Sequence, residues 1–459
     1  MAYKTVNPFT GEEGKSFDEI SNKELDEKLK RSAACFELWR KNSFDDRKKI
    51  IQKVADLMRE RSNELAALIT IEMGKRIKES KGEVELSASI YEYYATNAAK
   101  FLKDESLTTE KGSAYIRKEP IGVLLGIEPW NYPYYQVARF AAPNIMAGNC
   151  IMLKHASNVP QCALAIEKLF TDAGAPAGLY TNLFISSDKI EDLLADPIIK
   201  AVSLTGSEGA GASVAAAAGK NLKKSVLELG GSDPFIVLED AEMDKTVKWA
   251  VYGRMQNCGQ ACTAAKRFIV MDKVYDEFLQ KFKGALESMK PGDPMQEATK
   301  LGPLSSKSAL EDLEEQVEKS VKAGAKLLTG GKRFDMPGYF MQPTILTDIP
   351  KDAEAYHEEL FGPVASLYRV SSEDEAVELA NATRFGLGGA IFTADEKRGQ
   401  KLAARIDTGM VFINHPTGSQ PDLPFGGTNQ SGYGRELSSL GIDEFINKKL
   451  VRTSDINDK

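Results

Sequence analysis

The middle of the chain alternates between strand-like and helix-like segments. From residue 122 onward, short apolar runs typical of strands are separated by stretches with helical periodicity, and the rhythm starts again after Asp233. Because parallel neighbouring strands need a crossover, usually a helix, this alternation predicts parallel sheets with helices on both faces. We therefore predict an α/β fold with two α/β domains that meet near residue 231. The predicted strands are 123–127, 150–154, 201–205, 225–229 and 267–270, and the predicted helices are 137–147, 211–219, 243–255, 273–289, 305–323 and one from 161.

The N-terminal part shows helical patterns between residues 21 and 102. Ser21 or Asn22 can cap a first helix, Ser43 can cap a second, and a third is predicted over 83–102. After these, 112–119 alternates in strand fashion until a proline interrupts it. We expect this strand to form an arm that pairs with another subunit.

Two potentially reactive side chains flank the boundary between the predicted domains. Glu228 ends a strand-like run before Gly230 and Gly231, and Cys262 lies on a loop between a helix and a strand, where a thiol can meet a substrate. A thiolate can attack a carbonyl to form a covalent intermediate, and a nearby carboxylate can activate the water that releases it. On spacing alone, a buried structural thiol and a solvated glutamate remain the alternatives.

The composition argues against several classes of protein. Of 459 residues, 42% are hydrophobic and 27% are charged, as in a globular protein with a large core. The net charge of -7 argues against a nucleic-acid or anionic-membrane partner, and no apolar run approaches the ~18 residues of a membrane-spanning helix. The start has no apolar core of a secretory signal and the five cysteines are scattered, so we expect a cytoplasmic protein. His155, His357 and His415 lie far apart, and we expect no metal site.

The sequence Glu228-Leu229-Gly230-Gly231, followed by Gly259-Gln260-Ala261-Cys262, resembles the paired signature of the aldehyde dehydrogenase superfamily. Other family motifs recur in order along nearly the whole chain, which resembles the bacterial succinate-semialdehyde branch. The resemblance implies a Rossmann-like dinucleotide-binding domain (1–101 and 121–230), a catalytic domain (231–430), and a small β oligomerisation arm with a C-terminal segment (102–120 and 431–459). In this family the arm joins a short C-terminal strand, which 447–453 matches, so we expect a homodimer or homotetramer.

The catalytic roles that the resemblance implies fall on three residues. Cys262 attacks an aldehyde, and Asn131, which follows a strand, holds the developing oxyanion together with the backbone N–H of Cys262. Glu228 then activates water to hydrolyse the thioester. Family members that pass the acyl group to coenzyme A generally lack this carboxylate, so hydrolysis to the acid is expected.

A dinucleotide site is expected at a strand-to-helix turn. The turn from Thr205 to Gly211 lacks the usual Rossmann glycine spacing but resembles the family's variant, in which the helix start faces the pyrophosphate. At position 157, where NAD-preferring members have glutamate, Ser157 removes the repulsion of a 2′-phosphate, so NADP and NAD both remain possible. The cofactor-binding residues implied by the family are Pro129, Trp130, Lys154, Ser157, Thr205, Gly206, Ser207, Gly211, Leu229, Glu359 and Phe361.

The substrate class is predicted from two residues. Arg139 and Ser419 match positions that bind the carboxylate in succinate-semialdehyde dehydrogenases, although Gln256 stands where some of those enzymes have a second arginine. We therefore predict NAD(P)-dependent oxidation of succinate semialdehyde. The alternatives are a broad-specificity enzyme acting on neutral aldehydes, in which Arg139 is a surface or ion-paired residue, and a catalytically silent binding protein on the same scaffold.

Overall fold

A hairpin and a group of helices precede the first large sheet. The computed structural model describes residues 3–457, so the outermost residues of the predicted segments 1–101 and 431–459 lie outside it. Ser21 forms a capping box with Glu24 and Ser43 accepts from the backbone of the second helix, as the sequence predicts. The predicted helix 83–102 is the C-terminal part of a longer one. The elements are β1 (Tyr3–Val6), β2 (Glu13–Phe17), α1 (Asn22–Trp39), α2 (Phe44–Glu60), α3 (Ser62–Met73), α4 (Ile77–Phe101), β3 (Glu105–Leu107) and β4 (Ser113–Pro120).

The first large sheet is parallel through its middle. Its central strands follow the order β9-β8-β5-β6-β7, and the N-terminal helices pack with it in one hydrophobic core. Strands β5, β6 and β8 are almost entirely buried, which explains their continuous apolar sequences. The elements are β5 (Val123–Glu128), α5 (Tyr135–Ala147), β6 (Cys150–His155), α6 (Pro160–Asp172), β7 (Tyr180–Asn182), α7 (Lys189–Ala195), β8 (Ile199–Thr205), α8 (Glu208–Lys220) and β9 (Lys224–Glu228).

A second large sheet begins at Asp233. Its order is β12-β13-β14-β11-β10-β15-β16, parallel except where β12 meets β13. Residues of β10 alternate between two cores, with Phe235 on one face and Ile236 on the other. The elements are β10 (Asp233–Val237), α9 (Met243–Met255), a 3₁₀ turn (Gln256–Gly259), β11 (Ala265–Met271), α10 (Asp272–Glu287), α11 (Lys307–Lys322), β12 (Lys326–Thr329), β13 (Thr344–Thr347), α12 (Glu354–His357), β14 (Val364–Val370), α13 (Glu373–Asn381), β15 (Ala390–Phe392), α14 (Glu396–Ala403) and β16 (Phe412–Ile413).

The C-terminal segment returns to the first sheet and then to the predicted arm. Strand β17 adds antiparallel to β9, and β18 pairs antiparallel with β4 along its whole length, from Ile446–Pro120 to Thr453–Ser113. The predicted arm strand thus has its partner within the same chain, and its role in oligomerisation stays a prediction, as do the domain boundaries. The elements are a 3₁₀ turn (Asn429–Ser431), β17 (Gly432–Tyr433), α15 (Ser438–Asp443) and β18 (Ile446–Thr453).

The helices and the potential metal-ligating side chains of the described residues bear on two further classes of protein. Over residues 3–457, none of the helices is long and apolar enough to cross a bilayer. Within the same range, no group of three or more His, Cys, Asp or Glu side chains is placed to hold a metal ion.

Candidate active site

Three neighbouring strands of the first sheet end at the same edge. Thr205 at the end of β8 is paired with Glu228 at the end of β9. On the other side of β8, Leu204 is paired with Ile127 of β5. The next residue of β5, Glu128, therefore lies beside Thr205. The carboxyl edge of a parallel sheet is where α/β proteins bind their ligands. A cleft opens there, which we call the inner cleft. It is lined by Pro129, Trp130, Asn131, Thr205, Gly206, Ser207, Leu229, Cys262, Glu359 and Phe361, among others.

Cys262 follows a turn with an uncommon backbone conformation. Asn257, Cys258 and Gly259 have φ angles of 51°, 54° and 77°, in the left-handed region that is unfavourable for residues other than glycine. Buried side chains hold the turn in place, since Arg254 Nη2 donates to the Gly259 carbonyl at 2.7 Å. The turn thereby presents the half-buried Cys262 to the inner cleft.

The loop that carries the thiol is also fixed from the side of the second sheet. The buried Lys266 Nζ donates to the Cys262 carbonyl at 2.6 Å and forms an ion pair with Glu359 Oε1 at 2.7 Å. A Cβ at Gly231 would lie 2.6 Å from the same Cys262 carbonyl oxygen. Glycine is therefore required at position 231 by the close approach of two backbone segments.

Asn131 lies opposite this loop, at the start of the segment between β5 and α5. Its Nδ2 donates to the Gln260 carbonyl at 3.1 Å, and its own carbonyl accepts from Lys75 Nζ at 2.7 Å. Lys75 forms a fully buried ion pair with Glu83, which also accepts from the backbone N–H of Tyr134 at 2.8 Å. The side-chain amide of Asn131 is thus held by the Gln260 carbonyl and its backbone by Lys75, and an oxyanion donor needs such a fixed position.

Glu228 is buried behind the inner cleft. It is 2% exposed, and within the described residues neither carboxylate oxygen has a hydrogen-bond partner. Burial raises the pKa of this carboxyl to about 8; the Arg139 guanidinium opposes the shift and the Glu436 carboxylate adds to it. A carboxyl with a pKa near 8 and free oxygens is suited to accept a proton at neutral to alkaline pH.

The Cys262 thiol is held in its neutral form by its surroundings. Burial raises its pKa to about 12, the Lys266 ammonium opposes this, and the Glu359 and Glu228 carboxylates are also near enough to influence it. The thiol therefore has to lose its proton at the moment of attack, or after a ligand has changed its surroundings.

The helix α8 begins at the inner cleft. Ser207 is its N-cap and accepts from the Ala210 backbone N–H at 3.4 Å, and a Cβ at Gly211 would lie 2.6 Å from Leu229. The positive end of this helix faces the cleft and is suited to an anion. A groove that we call the outer groove runs along the same helix and is lined by Lys154, among others. Ser157 is exposed at the surface and follows Lys154 by three residues in the chain.

A second cavity reaches Cys262 from the opposite side. This front cavity is lined by Tyr135, Arg139, Tyr252, Gln256, Cys262, His415 and Ser419, among others. Arg139 forms a buried ion pair with Glu436, and its Nη2 donates to Thr205 Oγ1 at 3.0 Å. Cys262 therefore lies where the inner cleft and the front cavity meet.

The profile of the aldehyde dehydrogenase family matches residues 1–451. The chain belongs to the aldehyde dehydrogenase family. It is 54% identical to the succinate-semialdehyde dehydrogenase [NADP(+)] of Deinococcus radiodurans, over 98% of this chain and 94% of the relative. It is 48% identical to the probable succinate-semialdehyde dehydrogenase [NADP(+)] of Synechocystis, over 98% of this chain and 99% of the relative. The fold is similar to the crystal structure of succinic semialdehyde dehydrogenase from Streptococcus pyogenes in complex with NADP+, with a TM-score of 0.98 and 46% sequence identity. The match covers 99% of this chain and 100% of that one.

Family membership and the α/β fold class are thus as the sequence predicts, and most of the predicted site residues lie together. Cys262, Asn131 and the predicted cofactor residues line the inner cleft, except that Lys154 lies on the outer groove, Ser157 at the surface, and Gly211 behind Leu229. Glu228 is buried behind the cleft, and Arg139 and Ser419 lie on the front cavity. The functions of these residues stay predictions.

Several residues around the site have no signal in the sequence. Lys75, Glu83 and Lys266 are buried charged side chains that hold the Asn131 and Cys262 segments. Lys75 lies in the connection between α3 and α4, and Glu83 lies in α4. The sequence patterns assign this region to helices that serve only for packing. Glu436 lies in the C-terminal segment, far along the chain from its partner Arg139. Glu83 has no local clue either, because the charged residues Lys81 and Glu85 flank it in the sequence, and its partner depends on the fold.

Proposed function

We propose that this chain oxidises succinate semialdehyde to succinate with NADP+ as hydride acceptor. The position of Cys262 is the observation that supports it, because the thiol lies where a cleft suited to a dinucleotide meets a separate cavity suited to an aldehyde. The relatives' names and the NADP+ complex of the Streptococcus protein support the choice of substrate and cofactor.

The chain offers the groups that a dinucleotide phosphate requires. The start of α8, capped by Ser207, supplies backbone N–H groups for the pyrophosphate. Lys154 supplies a positive charge on the outer groove, and Ser157 nearby adds no negative charge. Glu359 and Phe361 line the inner cleft next to Cys262, where the nicotinamide end would be held. The bound dinucleotide supplies the hydride acceptor.

The residues of the chain carry out the remaining chemistry. The Cys262 thiol gives its proton to water and its sulfur adds to the aldehyde carbon, while Asn131 donates to the oxygen that becomes negatively charged. Loss of hydride from the adduct leaves a thioester on Cys262. Glu228 takes a proton from water as its oxygen attacks the thioester carbon, and the carbon–sulfur bond breaks to release the acid and restore the sulfur.

The polar end of the front cavity accounts for the substrate class. A carboxylate moved from water into a cavity needs a compensating positive charge, and Arg139 provides that charge with Ser419 close by. Neutral aldehydes of the same length make no use of these groups. The proposed function is therefore specific to an aldehyde with a carboxylate at its far end.

Kinetics with two cofactors and two aldehydes test the proposal. NADP+ and NAD+ are each combined with succinate semialdehyde and with butanal, which has the same chain length and no carboxylate. We expect the highest kcat/KM for NADP+ with succinate semialdehyde. Equal kcat/KM values for the two aldehydes would instead support a broad-specificity enzyme, and no reduction of either cofactor would support a silent binding protein.

A further inference from the structure

The ammonium group of Lys266 has a hydrogen-bond partner for each of its N–H donors. Lys266 lies in β11, and its side chain is 2% exposed. Its Nζ donates to the Ala261 carbonyl at 2.8 Å and to the Cys262 carbonyl at 2.6 Å, and it forms the ion pair with Glu359 at 2.7 Å. Because an ammonium group has three N–H donors, these three acceptors saturate it and fix its position.

The Ala261 carbonyl belongs to the same peptide unit as the backbone N–H of Cys262. That N–H is the predicted second donor to the oxyanion, beside the side chain of Asn131. A positive charge that donates to the carbonyl oxygen of a peptide polarises the whole unit, and its N–H becomes a stronger donor. The geometry thus allows Lys266 to influence the oxyanion site through one peptide unit, without touching the substrate.

The same charge also influences the thiol. Burial raises the pKa of the Cys262 thiol to about 12, and the positive charges of Lys266 and Arg139 oppose this shift. The carboxylates of Glu359 and Glu228 add to it. Removal of Lys266 should therefore disfavour the thiolate as well as weaken the N–H donor, and the two effects have to be measured with different reactions.

We propose that Lys266 is a positioning residue of the oxyanion site, which fixes the Ala261–Cys262 peptide and strengthens its N–H as a donor to the substrate oxygen. The inference rests on the proposed function for the nucleophile and the oxyanion, but not for the choice of aldehyde. It goes further in giving a buried lysine a role in the reaction. The ion pair with Glu359, which lines the inner cleft, connects this support to the cofactor side of the site.

Two reactions that need no cofactor separate the N–H donor from the thiolate. With iodoacetamide, the Cys262 thiolate displaces iodide and no oxygen becomes negatively charged, so the rate reports on the thiolate alone. With p-nitrophenyl acetate, the thiolate adds to the carbonyl carbon and makes its oxygen an oxyanion, which collapses as nitrophenolate leaves. The ratio of the acylation rate to the alkylation rate therefore measures the oxyanion site.

The Lys266→Met variant removes the charge and keeps the length of the side chain. We expect alkylation to slow because the thiolate is disfavoured. Acylation by the ester should slow about tenfold further, since a weakened donor should cost less than the roughly hundredfold or more that is typical of a removed one. A cooperative thermal unfolding transition shows that the variant is folded. If Glu359 without its counter-charge prevents folding, Lys266→Met combined with Glu359→Gln removes both charges and should show the same fall in the ratio.

A neighbouring residue provides the matched control. Arg267 follows Lys266 in β11, is also buried, and donates to three backbone carbonyls outside the Cys262 loop. Arg267→Lys should lower the unfolding temperature, because an ammonium cannot reproduce the fork of donors, but leave the ratio within about twofold of the wild type. Cys262→Ser gives the background rate for both reagents.

The outcomes distinguish this inference from the proposed function. An unchanged ratio in Lys266→Met would refute the role in the oxyanion site and leave only the effect on the thiol. An equal fall in Arg267→Lys would also refute it, because the change would then follow from a general disturbance of β11. A wild type that is alkylated but releases no nitrophenolate would refute an oxyanion site at this peptide. Failure of the wild type to oxidise succinate semialdehyde would overturn the proposed function only, because neither reagent needs that aldehyde or the cofactor.

Discussion

The pH dependence of thioester hydrolysis should follow the ionisation of Glu228. Only the carboxylate form can take a proton from water, and burial raises the pKa of this group to about 8, with Arg139 opposing the shift and Glu436 adding to it. A carboxyl with its pKa raised is protonated, and so inactive as a base, over a pH range in which an ordinary glutamate is ionised. The rate of hydrolysis should therefore rise with pH up to and beyond neutrality.

The size of the effect follows from the fraction ionised. With a pKa of about 8, about one tenth of Glu228 is a carboxylate at about pH 7 and about nine tenths at about pH 9. Hydrolysis should accordingly become about tenfold faster across that range and then level off. An ordinary glutamate, with a pKa of about 4.3, would give a flat profile over the same range.

Rapid mixing with NADP+ separates hydrolysis from the earlier steps. Where hydrolysis limits turnover, a burst of about one NADPH per active site precedes the steady rate. In Glu228→Gln we expect the burst to remain and the steady rate to be low and independent of pH. The burst rate of the wild type reports instead on the Cys262 thiol, whose pKa is raised to about 12 by burial, and should keep rising with pH.

Glu128→Gln is the matched control for this experiment. Glu128 is equally buried at the end of β5, which is separated from β9 by β8 in the same sheet. Burial, and after it the Glu436 carboxylate, raise the pKa of Glu128 well above the usual value, so the charged form is disfavoured and glutamine is its neutral counterpart. Its pH profile should match that of the wild type. A steady rate of the wild type that is flat between pH 6 and 9, or a slope that persists in Glu228→Gln, would refute Glu228 as the base.

Three further variants test other parts of the site. Cys262→Ser should abolish oxidation but keep NADP+ binding, measured by titration, and activity above a few per cent would exclude Cys262 as the nucleophile. Ser157→Glu should move the ratio of kcat/KM values from NADP+ towards NAD+ through repulsion of the 2′-phosphate, and an unmoved ratio would contradict the role of Ser157. Arg139→Ala should lower kcat/KM for succinate semialdehyde by about ten- to a hundredfold. It should also lower kcat for butanal, because the pKa of Glu228 loses the opposing charge; an unchanged kcat for butanal would show that Arg139 does not act on Glu228.

Among the N-terminal helices, those with a side-chain cap could be predicted from the sequence, and those without one were difficult. Serine residues cap α1 and α2, and both starts agree with the prediction. Helices α3 and α4 follow Arg61 and Arg76, which make no side-chain cap. The sequence patterns do not predict α3 and place the start of α4 several residues late, because the local signal for a helix start is missing.

The residues that surround the catalytic groups were less predictable than the groups themselves. Asn131, Glu228 and Cys262 belong to short motifs that a family resemblance can identify. Lys75, just before α4, contacts the carbonyl of Asn131, just before α5, because the two helices pack against each other. A buried lysine has no local sequence pattern. Positions that depend on contacts between distant segments need the fold before they can be assigned.

The order of the strands explains how one arginine can serve both halves of the site. Glu128, Thr205 and Glu228 are distant in sequence but end three adjacent strands, and Arg139 donates to Thr205 in the middle of this row. From the same guanidinium, Nη1 reaches the Tyr135 hydroxyl in the front cavity. We therefore expect removal of the arginine to disturb the ionisation of Glu228 and the binding of the substrate carboxylate together.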